Sequence, residues 1–167
     1  MTLLVLSDSH GRADRVRAAM ALNPDAAAVF FLGDGLRDLP EEAQCPILRV
    51  KGNCDVFTLF DTDPAPEERL EFFGGKRILA MHGHTRSVKS GIMGGAAAGL
   101  EADADIVLFG HTHSPLEYRI PAGEKMFGRE LARPLYLFNP GSIGAGEFGV
   151  ITLQGGEVLL SHGRLEK

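Results

Sequence analysis

The sequence predicts an α/β protein in which two β-sheets stack and helices cover their outer faces. In the first third of the chain, buried strands alternate with helical segments, and this alternation favours parallel pairing with right-handed crossovers. In the last third, short strands follow one another between glycine or proline turns. Because each sheet needs helices or the other sheet to cover its apolar faces, a layered sandwich is the simplest arrangement.

The first third of the chain contains three short apolar runs that are predicted to be buried strands. They cover residues 3–6, 28–32 and 47–50. A helix is predicted over residues 12–22, because its apolar side chains recur on one helical face and Asn23-Pro24 ends it. A second helical piece is expected around residues 36–43. The order strand, helix, strand, helix, strand makes this region α/β.

A β-hairpin is predicted in the middle of the chain. Leu70 and Phe72 alternate with polar residues, Gly74-Gly75 suits a hairpin turn, and a buried strand over residues 78–81 follows. Residues 92–102 are a weak helix candidate, because each of their glycines costs about 1 kcal/mol relative to alanine. These glycines are expected to allow close packing or motion, since the Lys-Ser/Thr ending of a phosphate-binding loop does not follow them.

The remaining part of the chain is predicted to be mostly β-structure. Short strands are expected over residues 106–109, 116–120, 135–138, 150–153 and 158–161. Residues 61–68 are expected to be a surface loop, and residues 121–134 either a hairpin extension or a surface loop. No internal repeat or linker divides the sequence, so residues 1–167 are predicted to form a single domain.

Composition and charge exclude several classes of function. No apolar stretch approaches the roughly 18 residues of a membrane span, so no membrane role is expected. The net charge is −5 and basic residues are scattered, which argues against binding to extended nucleic acid. Cys45 and Cys54 lack paired zinc-type spacing and are expected to be free thiols. With no signal-peptide pattern at the start, a cytoplasmic location is expected.

Potential metal ligands occur in short clusters that each follow an apolar run. They are Asp8, His10, Asp34, Asn53, His82, His111 and His113. Strands that end together would direct these polar side chains to one place beyond the sheet edge. The set combines oxygen and imidazole nitrogen without thiolates, which suits first-row divalent metals better than a structural zinc site or a calcium or magnesium site. Seven donors exceed the needs of one tetrahedral ion and fit two.

Each cluster alone also has an ordinary structural explanation. Asp8 could cap the following helix, and Gly33-Asp34 and Gly52-Asn53 are common turn dipeptides. Gly110-His111-x-His113 is harder to explain in this way, because alternate residues beyond a strand point to one side. Five of the six histidines fall within the clusters, whereas His162 lies in the terminal β segment. The joint placement therefore favours a two-metal hydrolase acting on phosphoesters.

The ordered motifs resemble those of the calcineurin-like metallophosphoesterases, and especially their small bacterial and archaeal phosphodiesterase branch. The matching motifs are Asp8-x-His10, Gly33-Asp34, Gly52-Asn53-Cys54-Asp55, His82-Gly83-His84, Gly110-His111-Thr112-His113 and Asn139-Pro140-Gly141-Ser142. They span nearly the whole chain. The resemblance implies a four-layer αββα sandwich, in which two mixed β-sheets are flanked by helices and a dinuclear site lies at the carboxyl ends of the strands.

The resemblance also assigns roles to residues. It implies that Asp8, His10 and His113 bind one metal, that Asn53, His82 and His111 bind the other, and that Asp34 bridges them. Asp34, Asn53 and His84 are the expected catalytic residues, with His84 reaching the substrate phosphate or a metal-bound water. Cys54, Asp55 and Arg12 are expected at the substrate, with Asp55 also supporting Asn53 and its loop.

Cys54 departs from the broader family, where many members carry a histidine thought to protonate the leaving group. A cysteine is a poorer general acid at neutral pH, so the proton donor is left open. The phosphodiesterase branch that the chain resembles also often has cysteine here, so this residue marks a subgroup.

The expected function is hydrolysis of small phosphodiesters by a hydroxide that bridges two divalent metals. Manganese is the first choice, and nickel, iron, cobalt and zinc are also acceptable. One alternative is a phosphomonoesterase or phosphoprotein phosphatase. Another is a non-catalytic protein-binding scaffold on the same fold, similar to the retromer subunit that has lost part of its metal set. A small phosphodiester is the expected partner, and a homo-oligomer is compatible with the resemblance.

Overall fold

The computed structural model describes residues 1–56 and 64–166, and within them the chain forms twelve strands and two α-helices. The strands are β1 (Thr2–Leu6), β2 (Ala28–Phe31), β3 (Ile47–Arg49), β4 (Glu68–Phe73), β5 (Lys76–Met81), β6 (Ile106–Leu108), β7 (Leu116–Ile120), β8 (Lys125–Met126), β9 (Arg129–Glu130), β10 (Leu135–Asn139), β11 (Glu147–Gln154) and β12 (Glu157–Arg164). The helices are α1 (Ala13–Leu22) and α2 (Met93–Glu101).

Ten of these strands form two mixed five-stranded sheets. The first has the order β12-β11-β1-β2-β3, and the second has the order β4-β5-β6-β10-β7. In the first sheet β1, β2 and β3 are parallel, while β11 pairs antiparallel with both β1 and β12. In the second sheet β5, β6 and β10 are parallel, and β4 and β7 are antiparallel edge strands. The parallel strands of each sheet therefore end on the same side.

Three apolar clusters define four layers. Alternate residues of the central strands, such as Leu3, Phe30 and Ile106, pack between the two sheets. The opposite face of the first sheet packs against α1, and the opposite face of the second sheet packs against α2. This arrangement confirms the predicted αββα sandwich. Neither α-helix in the described residues is long and apolar enough to cross a bilayer.

The glycine-rich helix α2 forms where it was predicted, and its glycines explain how it packs. A side chain at Gly94 would collide with the carbonyl oxygen of Arg86, and one at Gly99 would lie 2.6 Å from Val107. The cost of glycine in a helix is thus offset by a close approach to the turn at Arg86 and to Val107 of the second sheet.

The second predicted helical piece is shorter than expected. Residues 36–43 contain only a 3₁₀ turn at Leu36–Asp38. The Asp38 carboxylate accepts hydrogen bonds from the Ser9 hydroxyl and the Gly11 amide, and Pro40 has no amide hydrogen to continue a helix. The predicted helix to residue 43 is therefore wrong.

The predicted loops have mixed outcomes. Residues 121–134 contain the small hairpin of β8 and β9, so the hairpin alternative is confirmed there. The loop expected over residues 61–68 lies partly outside the described residues, and Glu68 already belongs to β4.

Candidate metal centre

All seven predicted ligands lie just beyond the carboxyl ends of parallel strands. Asp8 and His10 follow β1, Asp34 follows β2, and Asn53 follows β3 in the first sheet. His82 directly follows β5, and His111 and His113 follow β6 in the second sheet. Because the two sheets pack face to face, these strand ends form one edge of the sandwich. Their side chains meet in two adjoining groups.

The first group, here called the Asp8 cluster, consists of Asp8, His10 and His113. One donor atom from each residue lies within 4.8 Å of the others. Oδ1 of Asp8 is 3.0 Å from Nε2 of His113 and 3.6 Å from Nε2 of His10. The two imidazole Nε2 atoms are 3.2 Å apart. Asp8 is fully buried, whereas both histidines are exposed.

The second group, here called the Asp34 cluster, consists of Asp34, His82 and His111, whose donor atoms also lie within 4.8 Å of one another. Nε2 of His82 is 3.3 Å from Oδ2 of Asp34 and 3.1 Å from Oδ1 of Asn53. Nδ1 of His82 donates a hydrogen bond to the Leu32 carbonyl at 2.7 Å. This bond fixes the ring so that Nε2 faces the carboxylate; a hydrogen bond from one ring nitrogen commonly orients the other nitrogen of a histidine towards a metal.

Asp34 lies between the two clusters. Its Oδ2 atom is 3.9 Å from Nε2 of His10 in the Asp8 cluster and 3.3 Å from Nε2 of His82 in its own. Its Oδ1 atom accepts a hydrogen bond of 2.7 Å from the Cys54 amide. The structure thus brings together all seven predicted ligands, with one carboxylate positioned to reach both groups.

Unusual backbone conformations direct these side chains inward. Five of the seven predicted ligands have positive φ, with values from 45° to 65°, namely Asp8, His10, Asp34, His111 and His113. Such conformations are uncommon for residues other than glycine and concentrate at functional sites. Close contacts between loops accompany them, because a side chain at Gly52 would collide with the Asp34 carboxylate. The loops therefore hold strained conformations that tight packing stabilises.

Asp55 fastens the loop after β3 to the loop after β2. Its carboxylate accepts hydrogen bonds from the amides of Asp34, Gly35, Leu36 and Gly52 at 2.7–3.0 Å. These contacts agree with the predicted support of the Asn53 loop.

Several supporting residues were not identified from the sequence. Asp38 fastens the loop after β1, as described above. Asn139 donates hydrogen bonds to the Gly110 carbonyl and the Thr112 hydroxyl, so it holds the loop that carries His111 and His113. Ser142 donates to the Asp8 carbonyl at 2.8 Å. Asn139 and Ser142 belong to a motif of the family resemblance, but nothing in the local sequence specifies these bonds.

The charges of the Asp34 cluster match a site for a cation. Burial raises the pKa of Asp34, but hydrogen bonds from His82 and the Cys54 amide outweigh burial and hold that pKa well below its usual range. Burial lowers the pKa of His82, yet the hydrogen bond to Asp34 and the charges of Asp8 and Asp34 raise it overall. Burial, helped by the charges of His82 and Lys89, lowers the pKa of His111.

The donor set fits divalent metal ions. Oδ1 of Asp8 is buried and has no hydrogen-bond partner among the described residues, although His113 is close. A buried carboxylate oxygen without a partner is costly unless a cation satisfies it. The imidazole nitrogens and carboxylate oxygens around it are ligands that first-row metals accept.

The other predicted site residues lie in different surroundings. The His84 ring is 5.4 Å from that of His82, and its Nε2 atom is 3.5 Å from the Glu67 carboxylate. Cys54 is exposed next to Asp34, and partial desolvation together with the Asp34 carboxylate raises the pKa of its thiol. The Arg12 guanidinium is hydrogen-bonded to Asp14 at the surface.

Comparison with known proteins places this fold and site in one family. The chain belongs to the calcineurin-like phosphoesterase superfamily, because the model of that domain matches residues 1–154. The chain is 30% identical over 144 residues to YsnB of Bacillus subtilis (strain 168), a probable metallophosphoesterase, covering 86% of this chain and 75% of YsnB. The family prediction is thus confirmed, and membership supports a metal-dependent hydrolase.

Solved structures share the fold at lower sequence identity. Vps29 of Chaetomium thermophilum has a TM-score of 0.73 at 19% identity, covering 100% of this chain and 88% of Vps29. An archaeal phosphodiesterase has a TM-score of 0.63 at 18% identity, covering 97% of this chain and 99% of the other. The fold thus occurs in proteins with different names and roles, so the site must decide the function.

Proposed function

We propose that this protein is a dinuclear metal-dependent phosphodiesterase that hydrolyses small phosphodiesters. The observation that carries the proposal is the convergence of seven donors in two adjoining clusters, with Asp34 between them. A complete donor set is the feature that a catalytic member of this family needs and a protein-binding relative does not.

In this proposal the Asp8 cluster holds one divalent ion, and the Asp34 cluster, completed by Asn53, holds the other. Manganese, nickel, iron, cobalt and zinc all suit these ligands. When bound, the ions supply activation of a water nucleophile and neutralisation of charge on the phosphoryl oxygens.

The role of the chain is to position these groups. Leu32 orients the His82 ring, and Asp55 fixes the loop that carries Asn53. His84, at the edge of the Asp34 cluster, is the proposed contact to the phosphate.

The cations near the site favour a substrate with one negative charge on its phosphate. Arg12 is engaged by Asp14, and Arg86 is engaged by Glu68 and Glu101. Of these three cations, Lys89 has no ion pair within the described residues, and it is close enough to His111 to lower the pKa of that ring. A monoester dianion would need more compensating charge than a diester monoanion. The preference for diesters follows from this charge balance.

A rate comparison tests the proposal. The protein is stripped of metal, reloaded with manganese, and assayed with bis(p-nitrophenyl) phosphate and p-nitrophenyl phosphate. We expect the diester to be the better substrate, and Asp34→Asn to lower kcat/KM for it by about 10³-fold, since the substitution weakens both ion sites. Asp25→Asn, an exposed position away from the clusters, is the matched control and should retain full activity. Equal turnover by Asp34→Asn and the unaltered protein would end the proposal, and dominance of the monoester would make the protein a phosphomonoesterase.

The similarity to Vps29 favours a second candidate, a non-catalytic protein-binding scaffold. Vps29 is a vacuolar protein sorting protein and shares this fold. The two candidates differ in one measurable property. A scaffold would turn over neither ester with any of the five metals, even when metal analysis shows that both ions are bound.

A further inference from the structure

Cys54 lies at the junction of the two clusters and has no role in the ligand set described above. Its Sγ atom, one donor atom of His10 and one of Asp34 all lie within 4.8 Å of one another. The side chain is exposed to solvent. The other cysteine, Cys45, lines a cavity beside the end of α1, among residues outside the two clusters. The chain therefore provides one thiol in the site and one outside it.

The position of Cys54 is fixed by the same contacts that fix the ligands. Its amide donates to Oδ1 of Asp34 at 2.7 Å, and Nδ2 of Asn53 donates to its Sγ atom at 3.4 Å. The other end of the Asn53 amide, Oδ1, faces His82 at 3.1 Å. One amide side chain thus links the thiol to the Asp34 cluster, and Asp55 holds the loop that carries both.

A second observation points to a cation within reach of this thiol. Oδ1 of Asp8, on a fully buried side chain, has no hydrogen-bond partner among the described residues. It lies 3.6 Å from Nε2 of His10. His10 is also one of the three residues, with Asp34 and Cys54, whose donor atoms lie within 4.8 Å of one another. An ion held by His10 would satisfy this oxygen, and Sγ of Cys54, within 4.8 Å of a His10 donor atom, would be close enough to contribute to holding it.

We propose that Cys54 is an additional ligand of the metal centre, joining His10 and Asp34 on an ion that accepts sulfur. As the sulfur–metal bond forms, the thiol proton passes to solvent. Thiolates favour zinc and cobalt, whereas manganese prefers oxygen ligands, so Cys54 shifts the selectivity of the site towards zinc and cobalt. The proposal rests on the metal centre proposed above and requires nothing of the substrate.

Cobalt spectroscopy tests the bond directly. The full chain is stripped of metal and titrated with Co(II) in the absence of oxygen. A near-ultraviolet sulfur-to-cobalt band should rise together with the visible d–d bands in the unaltered protein and in Cys45→Ser. In Cys54→Ser the visible bands should persist, because the histidines and carboxylates remain, and the near-ultraviolet band should be lost.

The outcomes separate this inference from the proposed function. Visible bands without the sulfur band in the unaltered protein, or a sulfur band that survives in Cys54→Ser, would refute the role of Cys54 and leave the metal centre intact. Absence of any cobalt binding in the unaltered protein would refute both.

Two further measurements keep the test independent of how well Cys54→Ser folds. In the unaltered protein, saturating zinc should slow alkylation of Cys54 by iodoacetamide at least about tenfold and leave the rate at Cys45 within about twofold, as read by peptide mass spectrometry. In Cys54→Ser, zinc affinity should fall roughly 10–100-fold and manganese affinity by less than about threefold. Equal alkylation rates with and without zinc, or equal losses for both metals, would contradict the proposal.

Discussion

The Asp8 cluster and the Asp34 cluster use similar ligands but differ in how far the protein itself organises them. The side chains of His82 and Asp34 are 0% and 3% exposed, whereas those of His10 and His113 are 39% and 51% exposed. His82 is held by the Leu32 carbonyl, while the buried Asp8 Oδ1 has no hydrogen-bond partner among the described residues. Preorganised ligands lose less entropy on binding. We therefore expect the Asp34 cluster to hold its ion tightly and the Asp8 cluster to exchange its ion.

The largest loss of stability expected from a single ligand substitution is that of His82→Ala. The substitution leaves the Leu32 carbonyl without its donor and Oδ2 of the buried Asp34 carboxylate without its nearest partner, so we expect a loss of about 2–4 kcal/mol in the free energy of unfolding of the metal-free protein. Turnover should fall by roughly 10²–10³-fold because one ion is no longer held. Urea unfolding and steady-state kinetics measure the two effects. A variant with unchanged stability would contradict the difference between the clusters.

The matched substitution in the Asp8 cluster, His113→Ala, should change binding without changing the fold. Its ring is exposed, so the free energy of unfolding of the metal-free protein should stay within about 0.5 kcal/mol. Affinity for the more weakly bound ion should fall roughly 10–100-fold, as judged by calorimetric titration. Loss of the tightly bound ion instead would reverse the assignment of the two clusters.

A smaller effect on metal affinity is expected from Asn139→Ala, which removes a support of the loop after β6. Asn139 is fully buried and bonds to Gly110 and Thr112 on that loop. We expect a loss of about 1–3 kcal/mol in stability. Metal affinity should fall about tenfold, because His111 and His113 lose their orientation together. If only one of the two ions binds more weakly, the loop does not move as a unit.

The smallest expected effect is the pH dependence of metal affinity that protonation of His82 causes. Its pKa is raised in the metal-free protein, mainly through Asp34, so below that pKa a proton occupies the nitrogen that must bind the metal. Affinity of the Asp34 cluster should therefore fall as pH falls through that pKa, and below that pKa binding should release about one proton per ion. Calorimetry in two buffers of different ionisation enthalpy counts the protons. The number of protons released should rise towards one as the pH is lowered, and a count that does not change with pH would assign the proton to another group.

The sequence predicts the fold well where one face or both faces of an element are buried. The apolar runs of β1, β2 and β6 follow directly from burial. In β4, by contrast, Leu70 and Phe72 alternate with polar residues but both are exposed, so burial does not explain their pattern. The helix expected after Asp34 was too long because a tertiary contact, Asp38 to the loop after β1, replaces helical hydrogen bonds. Local preference could not reveal a partner that is distant in the sequence.

In the candidate site, the sequence predicts the ligands but not most of the residues that support them. The ligands are recognisable because they are Asp, Asn and His residues, which can bind metals, and because each cluster follows an apolar run predicted to be a strand. The supporting residues Asp38, Asn139 and Ser142 act through backbone amides, carbonyls and hydroxyls of other loops, so only the three-dimensional structure identifies those bonds. The family resemblance predicts that Asp55 supports the Asn53 loop, but it does not predict the four backbone amides that donate to its carboxylate.

The pairing of β1 with both β2 and β11 has a consequence for biosynthesis. β1 forms at the beginning of the chain, yet one of its two neighbours is β11, and Ser142 on the approach to β11 bonds to the carbonyl of Asp8. The ribosome therefore synthesises Asp8 and His10 long before Ser142, which supports the loop that carries them. Metal capture by this protein should therefore be a late step of folding, and its rate reports when β11 and the Ser142 turn join β1.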